Sequence, residues 1–582
     1  MKQDSRVLIA FALSFVMLVL WRVFLVKEQP KPKSAPTEQT QKAEAPKAKA
    51  GESPAAAAKA SPPVKKPPAP VALPVEQGSS AQEIVVESDL YRVTFSTQGA
   101  VVKSWILRKY QDEKGNPLDV VNSGACEKLG YPMSISVPKS PDAELAGQIN
   151  QAVFVANPAG TTFKAPAKLD FVYSNGKVRV KKEFNFGEGY AINAEVSVWD
   201  GAQYLPVTVE WPGGFGDQSL TYSQKEAYGQ AAYSAGGKIE TVADRKIENE
   251  KTISGPFAFA GLEDRYFAGI FLPEAPGVEF PSGTSLHLTS EIWMPPDWKD
   301  KEPPKFARAA LASSASEPFK FRLFVTPKDM DVLRAEYAPL EGLVDFGWFT
   351  IFAKPLFLAM RYVYDHWVHN YGWAIIILTV VINMLMFPLK LKQIRSAQEM
   401  QKIGPIVKGI QDRYKQYKFN DPRKQRMNQE IMKLYKDHGV NPLGGCLPMA
   451  LQLPILYGFY RVLELPIELR HAPWIGWVKD LSAPETVHMF GHGVHILPII
   501  MIVASYFMTK MTPMPTADPN QQRMMALMPV ILGVMFYNLA SGLVLYFIVA
   551  SLVGIAQQVF INKTVAPPVL KPAPQKTSEA AE

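Results

Sequence analysis

YGWAIIILTVVINMLMFPLK, residues 371–390, decides what kind of protein this is. From Tyr371 to Leu389 no side chain is charged, and the run stops at Lys390. A stretch of about 20 apolar residues crosses a bilayer's hydrocarbon core as one helix. In lipid the backbone must satisfy its own hydrogen bonds, so a lone span has to be helical. The segment that follows, Lys390–Asn441, holds 13 basic residues against five acidic ones, whereas residues 466–494 hold only Arg470 and Lys479. Basic loops stay on the cytoplasmic side, so this contrast orients the chain.

Working outward, four more apolar segments lie C-terminal, at 442–466, 495–511, 524–539 and 543–562. Residues 1–26 supply a further one, preceded by Lys2 and Arg6; no small-x-small cleavage site follows, which favours an uncleaved anchor over a signal peptide. That makes six transmembrane helices in all, at 1–26, 371–391, 442–466, 495–511, 524–539 and 543–562. With 392–441 cytoplasmic, counting spans puts both termini in the cytoplasm, including the tail 563–582, and puts 467–494 outside. The short loop 512–523 returns to the cytoplasm. Lys27, Lys31 and Lys33 just after the anchor oppose this orientation, and the remaining spans outvote them.

Mean hydropathy is only −0.04 because the chain averages these spans with a polar middle. Residues 27–80 are Pro, Ala and Lys with few large apolar groups, the composition of a disordered linker. From 81 to 327 the pattern turns to period two: Tyr91, Val93 and Phe95 alternate with polar residues, as does Ala191–Trp199. Phe171 and Tyr173, then Asn175-Gly176, then Val178 and Val180 predict a hairpin with a tight primed turn. One large β-sandwich outside the cytoplasm follows. In 328–370 helical periodicity returns, with Phe352, Leu356, Met360, Tyr364 and Trp367 along one face; too charged to span, it reads as an interfacial amphipathic helix or as a helix packed on the β-domain. The two cysteines, Cys126 and Cys446, fall in different parts of the chain and form no disulfide framework.

Five stretches of the membrane half occur together in one order: FPLKLKQ from Phe387, NPLGGCLPMALQLPILYGFY from Asn441, ELRHAPWIGWVKDLSAPE from Glu468, DPNQQRMMALMPV from Asp518 and SGLVLYFIVASLVGIAQQ from Ser541. Over about 200 residues they resemble the YidC family of membrane protein insertases, relatives of the Oxa and Alb proteins. The resemblance implies a five-helix insertase core behind the N-terminal anchor, and a periplasmic β-supersandwich similar to sugar-mutarotase folds in residues 81–327. It implies a polar groove open to the cytoplasm and to lipid, through which nascent inner-membrane proteins insert, alone or beside the Sec translocon. Partners so implied are nascent membrane proteins, the Sec translocon, the ribosome and signal-recognition machinery, and membrane lipids, with no small-molecule substrate.

The same resemblance assigns groove residues. The family's groove arginine falls here on Asn383, with Thr379 one turn away and Gln452 on the third span. Asn383 as helix-packing glue, or Gln452 as a plain interhelical bond, is the simpler alternative. Lys390 lies seven residues on and nearly on the same face; it is either a groove cation or a positive-inside anchor. Arg461, near the outer end of its span, is the other candidate cation or a snorkelling residue. If groove hydration is what matters, Asn383→Leu impairs insertion, Asn383→Arg is tolerated and Lys390→Gln matters little. Phe536, Tyr546 and Phe547 match the apolar slide that substrates pass, unless they are ordinary packing. The basic segment 392–441 predicts a helical hairpin, helices 411–419 and 423–436 around Asn420-Asp421-Pro422, with Arg413, Lys415, Arg423 and Lys424 as cytoplasmic contacts for partner, lipid or RNA.

Catalysis is not expected. Insertion requires no covalent step, and the β-domain's single histidine, His287, cannot supply an acid–base sugar site. Glu263-Asp264-Arg265 reads as a surface turn. His488, His492 and His495 lack cysteine or carboxylate partners at a ligand spacing, so no metal and no cofactor is expected. The rival classes are a solute transporter, which an absent internal repeat disfavours, and a membrane-anchored periplasmic scaffold, for which one span would suffice.

Overall fold

The computed structural model describes residues 73–564 except 139, 141, 143, 220–228, 295–297, 299–302, 348–349, 418–420, 439–446, 490 and 514–518. The expected anchor at 1–26, nearly all of the expected linker at 27–80 and the residues beyond 564 lie outside the described residues.

The β half is built from alternation. In Tyr91–Ser96 the apolar Tyr91, Val93 and Phe95 are fully buried while Arg92 is exposed, as a strand with one wet face requires. A ten-stranded sheet runs, in spatial order, Val75–Glu76, Ala167–Asn175, Arg179–Phe186, Ala191–Trp199, Phe319–Pro327, Phe267–Leu272, Phe259–Glu263, Gln230–Ala235 and Lys238–Ala243, with Val155–Asn157 also on Ala167–Asn175. Two five-stranded sheets accompany it: Lys251–Ser254, Thr284–Ile292, Lys305–Ser313, Thr208–Trp211, Ser134–Ser136; and Pro117–Asp119, Val101–Gln111, Tyr91–Ser96, Glu83–Glu87, Thr162–Lys164. Phe95 of the last sheet meets Phe171 and Phe184 of the first at 5.6 and 4.9 Å between ring centroids, so the sheets share one core. The predicted hairpin forms with its turn one residue later than expected. Arg179 pairs with Ser174, Gly176 has φ +89°, and Asn175 Oδ1 accepts from the amides of Lys177 and Val178. Glycine first, with ordinary φ at Lys177, is the pattern of a type II′ turn.

Helices α1 (Ser123–Leu129) and α2 (Leu145–Gln151) decorate the sheets, and α3 (Met330–Glu336) leads out of them. The helical half then contains α4 (Thr350–Val363), α5 (Tyr371–Leu385), α6 (Phe387–Arg413), α7 (Pro422–Asp437), α8 (Leu447–Glu464), α9 (Ile496–Met511), α10 (Pro519–Met535) and α11 (Ser541–Thr564). Among the described residues α11 alone is long and apolar enough to cross a membrane by itself; α9 and the apolar part of α10 are shorter.

Helix α4 and the π-helical turn Tyr364–Val368 join α5 through a 116° bend. Its buried stripe is Ala353, Phe357, Met360 and Val363, and Gly458 of α8 lies against Phe352 and Leu356. Of the five residues expected on one face, Met360 is buried but Phe352 and Trp367 are exposed: steps of four residues drift about 40° each away from the buried stripe, and the π turn shifts the phase again before Trp367. Ile351, Leu358, Tyr362 and Trp367 form an exposed apolar side.

The expected uniform span 371–391 breaks at Met386. Pro388, in the first turn of α6, has no amide hydrogen to continue α5 and its ring crowds the carbonyl of Met384. Helix α6 then runs unbroken through Arg413, so the first arm of the expected hairpin is not 411–419 but a longer helix that ends there; residues 414–417 are turn. The second arm is α7, and Asp421, expected only as part of the turn, caps it: its side chain accepts from the amide of Arg423.

Candidate functional site: a polar cluster among α5, α6 and α11

Asn383 sits on α5, 4% exposed, with Nδ2 donating to the Thr379 carbonyl at 2.8 Å. Its Oδ1 accepts from Lys390 Nζ at 2.6 Å. Seven residues apart, the two lie on nearly the same face, and the long lysine side chain reaches back past Met386 to the last turns of α5. A third side chain, Gln557 of α11, closes the cluster, donating through Nε2 to the Asn383 carbonyl at 3.0 Å and accepting from Lys390 Nζ at 3.4 Å. The ammonium is thus held by two amide oxygens, and each of those amides is spent on a backbone carbonyl. Buried polar networks of this kind hold only if every member finds a partner.

Thr379 is fully buried and its hydroxyl donates to the Ile375 carbonyl of its own helix, so it adds no free polar group. Gln452 belongs elsewhere. Its Nε2 donates to Tyr546 Oη at 3.0 Å, and Tyr546 is stacked on Phe459 with centroids 4.5 Å apart. Tyr546 precedes Gln557 by 11 residues on α11, about 16 Å of helix rise. The four expected groove positions therefore divide into two levels, Gln452 at the inner one and Asn383 with Lys390 nearer the basic hairpin. Tyr546 is 2% exposed, so its ring is packing between α8 and α11 and not an open sliding surface; Phe536 and Phe547 are half-buried and touch each other, centroids 5.1 Å apart.

The second candidate cation is not in this cluster. Arg461 donates to the Asp345 carbonyl at 2.8 Å and pairs with Glu464 at 3.3 Å, at the α8 end that meets the β-domain. In the hairpin, Arg413 bridges to Glu430 and Arg423 pairs with Asp421 while stacking on Tyr417, so both brace the hairpin; that pairing, led by the Arg423 amide, holds the Asp421 carboxyl below its usual range. Lys415 is exposed and Lys424 half-buried.

Sequence reasoning missed Gln557, whose polarity near the end of an apolar helix was the available signal. It also misread Glu263-Asp264-Arg265, which is buried rather than a surface turn, at 2%, 4% and 9% exposure. Arg265 donates twice to the Glu464 carbonyl, at 2.9 and 2.7 Å, capping the last turn of α8. Asp264 accepts from the amides of Asp217, Tyr266 and Phe267, and Asp217 pairs with Arg470 at 2.6 Å, both essentially fully buried. Burial pushes the Asp264 carboxyl above its usual range. Gly216, at φ +104°, gives Asp264 its room: a Cβ there would lie 2.1 Å from Oδ2. The three histidines of the outer loop lie on and beside a short hairpin. His488 pairs with Gly493 and His492 with Met489, which puts the two on opposite faces, while His495 bonds the Glu485 carbonyl.

Two family descriptions match in tandem: the YidC periplasmic domain over residues 83–359 and the 60Kd inner membrane protein over 363–567. The membrane protein insertase YidC of Syntrophus aciditrophicus is 34% identical over 96% of this chain and 99% of its own length. The chain belongs to the YidC family. Insertases of that name from Pelobacter propionicus and Geotalea daltonii are 33% and 32% identical over 83% and 85% of the chain, and 87% and 89% of their own lengths. Among solved structures, an active YidC insertase with its first transmembrane domain resolved is 19% identical, covering 83% of this chain and 94% of that one at a TM-score of 0.33. A galactose mutarotase-like protein of Lactobacillus casei is 10% identical, covering 42% of this chain and all of its own at a TM-score of 0.29. The YidC family is one of bacterial inner-membrane proteins, and the boundary between its two parts falls on the helix α4 that joins the β half to the helical half.

Proposed function

We propose that the protein inserts nascent inner-membrane proteins by offering them a wet, cationic step among α5, α6 and α11. The observation that carries this reading is the Lys390 ammonium held against Asn383 and Gln557. A charged residue costs at least about 2.5–3.5 kcal/mol at mid-bilayer on insertion scales. The Lys390 ammonium, with two of its three protons used, offers a passing segment a hydrogen bond and a countercharge at the cytoplasmic end of that path. Lys390 and Asn383 act as one unit, so the cation missing from position 383 is supplied from seven residues on. Gln452 with Tyr546 is the second, inner polar step, and Phe536 with Phe547 the apolar wall. Nothing here calls for a covalent step.

The proposal includes the six spans and their orientation, with 392–441 cytoplasmic and the β-domain and 467–494 periplasmic. It also includes the ribosome, signal-recognition machinery, Sec translocon and lipids as partners, met through the basic hairpin with Lys415 and Lys424 outward. The Lys and Arg asymmetry supports the orientation. A cysteine at 415 that an impermeant reagent modifies in intact cells would refute it. The function is tested by photo-crosslinking in membranes, with probes at 452, 383 and 557 and a ribosome-stalled short membrane protein. Crosslinks that move from 383 and 557 to 452 as the chain lengthens support the reading; crosslinks only at lipid-exposed positions such as Val534 contradict it.

A further inference from the structure

We infer that Glu113, His471 and Asp480 form a divalent-cation site that straddles the β-domain and the loop 467–494. One ring nitrogen and two carboxylates place a ligand atom each within 4.8 Å of one another, with His471 Nε2 3.4 Å from Glu113 Oε1. Imidazole with carboxylate oxygen is the donor set of zinc(II) and its transition-metal neighbours, rather than of calcium or magnesium, which take oxygen alone.

The three groups come from two segments, and the backbone beside each is tied by hydrogen bonds that leave ligand atoms available. His471 and Asp480 are brought face to face by a loop closed on itself: Leu481 donates to the Ala472 carbonyl at 3.0 Å and Trp474 to the Val478 carbonyl at 3.1 Å. Asp480 Oδ1 is taken by the amide and hydroxyl of Ser482. That orients the carboxylate and leaves Oδ2. Glu113 arrives at the tip of the Val101–Gln111/Pro117–Asp119 hairpin, whose turn is tied by Asp112 Oδ1 accepting from the amides of Lys114 and Asn116. The Glu113 amide donates to Ser219 Oγ at 2.9 Å, Ser219 in turn bonds Asp217, and Asp217 pairs with Arg470, the residue before His471. This closed ring from Arg470 to His471 through the β-domain holds the Glu113 backbone beside the imidazole. Arg470, the residue before His471, is already paired with Asp217.

Tetrahedral zinc brings its ligands closer than 4.8 Å, at about 2.0–2.2 Å from the ion each. Glu113 is exposed at the hairpin tip and is the group free to move in. Water fills the fourth position. The site is a clip: an ion there ties the β-domain to the segment that follows α8, beside the Arg265 and Asp217 contacts. It does not depend on the groove reading.

The test is zinc titration by calorimetry on the detergent-purified full chain, comparing wild type with Glu113→Gln, His471→Ala and Asp480→Asn; cobalt(II) absorption reports the ligand set. Expected is one site per chain that weakens at least tenfold in each variant, unchanged by His488→Ala with His492→Ala. Cobalt should show bands of low coordination number that vanish with His471→Ala. Zinc should also slow protease cleavage within 471–481 in wild type only. No saturable site, or one that survives His471→Ala, or one lost on removing His488 and His492, overturns the inference.

Discussion

At residue scale the groove cluster behaves as a pair, not as two independent side chains. The expectation that Lys390→Gln matters little treated residue 383 as a separate hydration group, and the 2.6 Å contact couples the two. Lys390→Gln and Asn383→Leu should therefore each reduce complementation of a depleted strain, and the double variant should be no worse than the poorer single one, as for groups of one network. Asn383→Arg places a second cation against Lys390 and should be harmful alone, yet regain function when combined with Lys390→Gln. Growth and insertion, scored by protease accessibility, check this; strictly additive defects would count against the pair.

Glu468, beside the Arg470 contact, titrates in an unusual place. Its carboxylate oxygens are buried with no partner beyond its own residue among the described residues, and burial, with Asp329 and Asp331 adding to it against Arg361, raises its pKa from 4.5 to about 7. The folded state thus holds a proton that the unfolded chain releases from pH 4.5 upward. Stability from this group is complete below about pH 4.5 and declines as pH rises to about 7, at up to about 1.4 kcal/mol per unit. Thermal unfolding of the purified protein followed between pH 5 and 7 should lose this slope in Glu468→Gln; an unchanged slope assigns it to other groups.

At the scale of elements, the outer end of α8 is held by the β-domain through Arg265 at its last carbonyl and through the buried Asp217–Arg470 pair just beyond. Arg265→Ala removes a charge-assisted cap and should cost about 1–2 kcal/mol. Asp217→Ala strands a buried guanidinium and should cost about 3–5 kcal/mol. Denaturant unfolding followed by Trp fluorescence ranks them, and equal effects would show that the pair is not buried in solution. Periodicity made the strands and most helices legible, because it reports which side of each element faces an apolar core. It could not report Met386 as a break between α5 and α6, since Pro388 suits both the middle of a broken span and the first turn of a new helix. Nor could it report Asp264 or Arg265: a run of three charged residues reads as surface unless the partner segment, here 464–470, is already in place. Asn383 and Lys390 were visible as candidates. That they touch, and that Gln557 joins them, depends on how α11 lies against α5, which no local pattern encodes.

At the scale of the whole molecule the proposed function gives the two halves separable roles. Deleting residues 84–280 while keeping the N-terminal segment removes Asp217 and Arg265 together with the surface that buries Arg470, so the guanidinium returns to water and the penalty of Asp217→Ala does not arise. The large deletion should then support insertion better than that single substitution, which immunoblotted complementation strains will show; the reverse order would make the β-domain part of the insertion machinery itself. The central claim is that the helical half inserts proteins through its Lys390–Asn383–Gln557 step. It is tested most directly by reconstituting the purified full chain into liposomes without other proteins and adding a small, coat-like membrane protein. The account predicts protease-protected insertion by wild type, strong loss with Lys390→Gln and recovery with Lys390→Gln plus Asn383→Arg. Insertion that is indifferent to Lys390, or liposomes that move a solute and insert nothing, would contradict it.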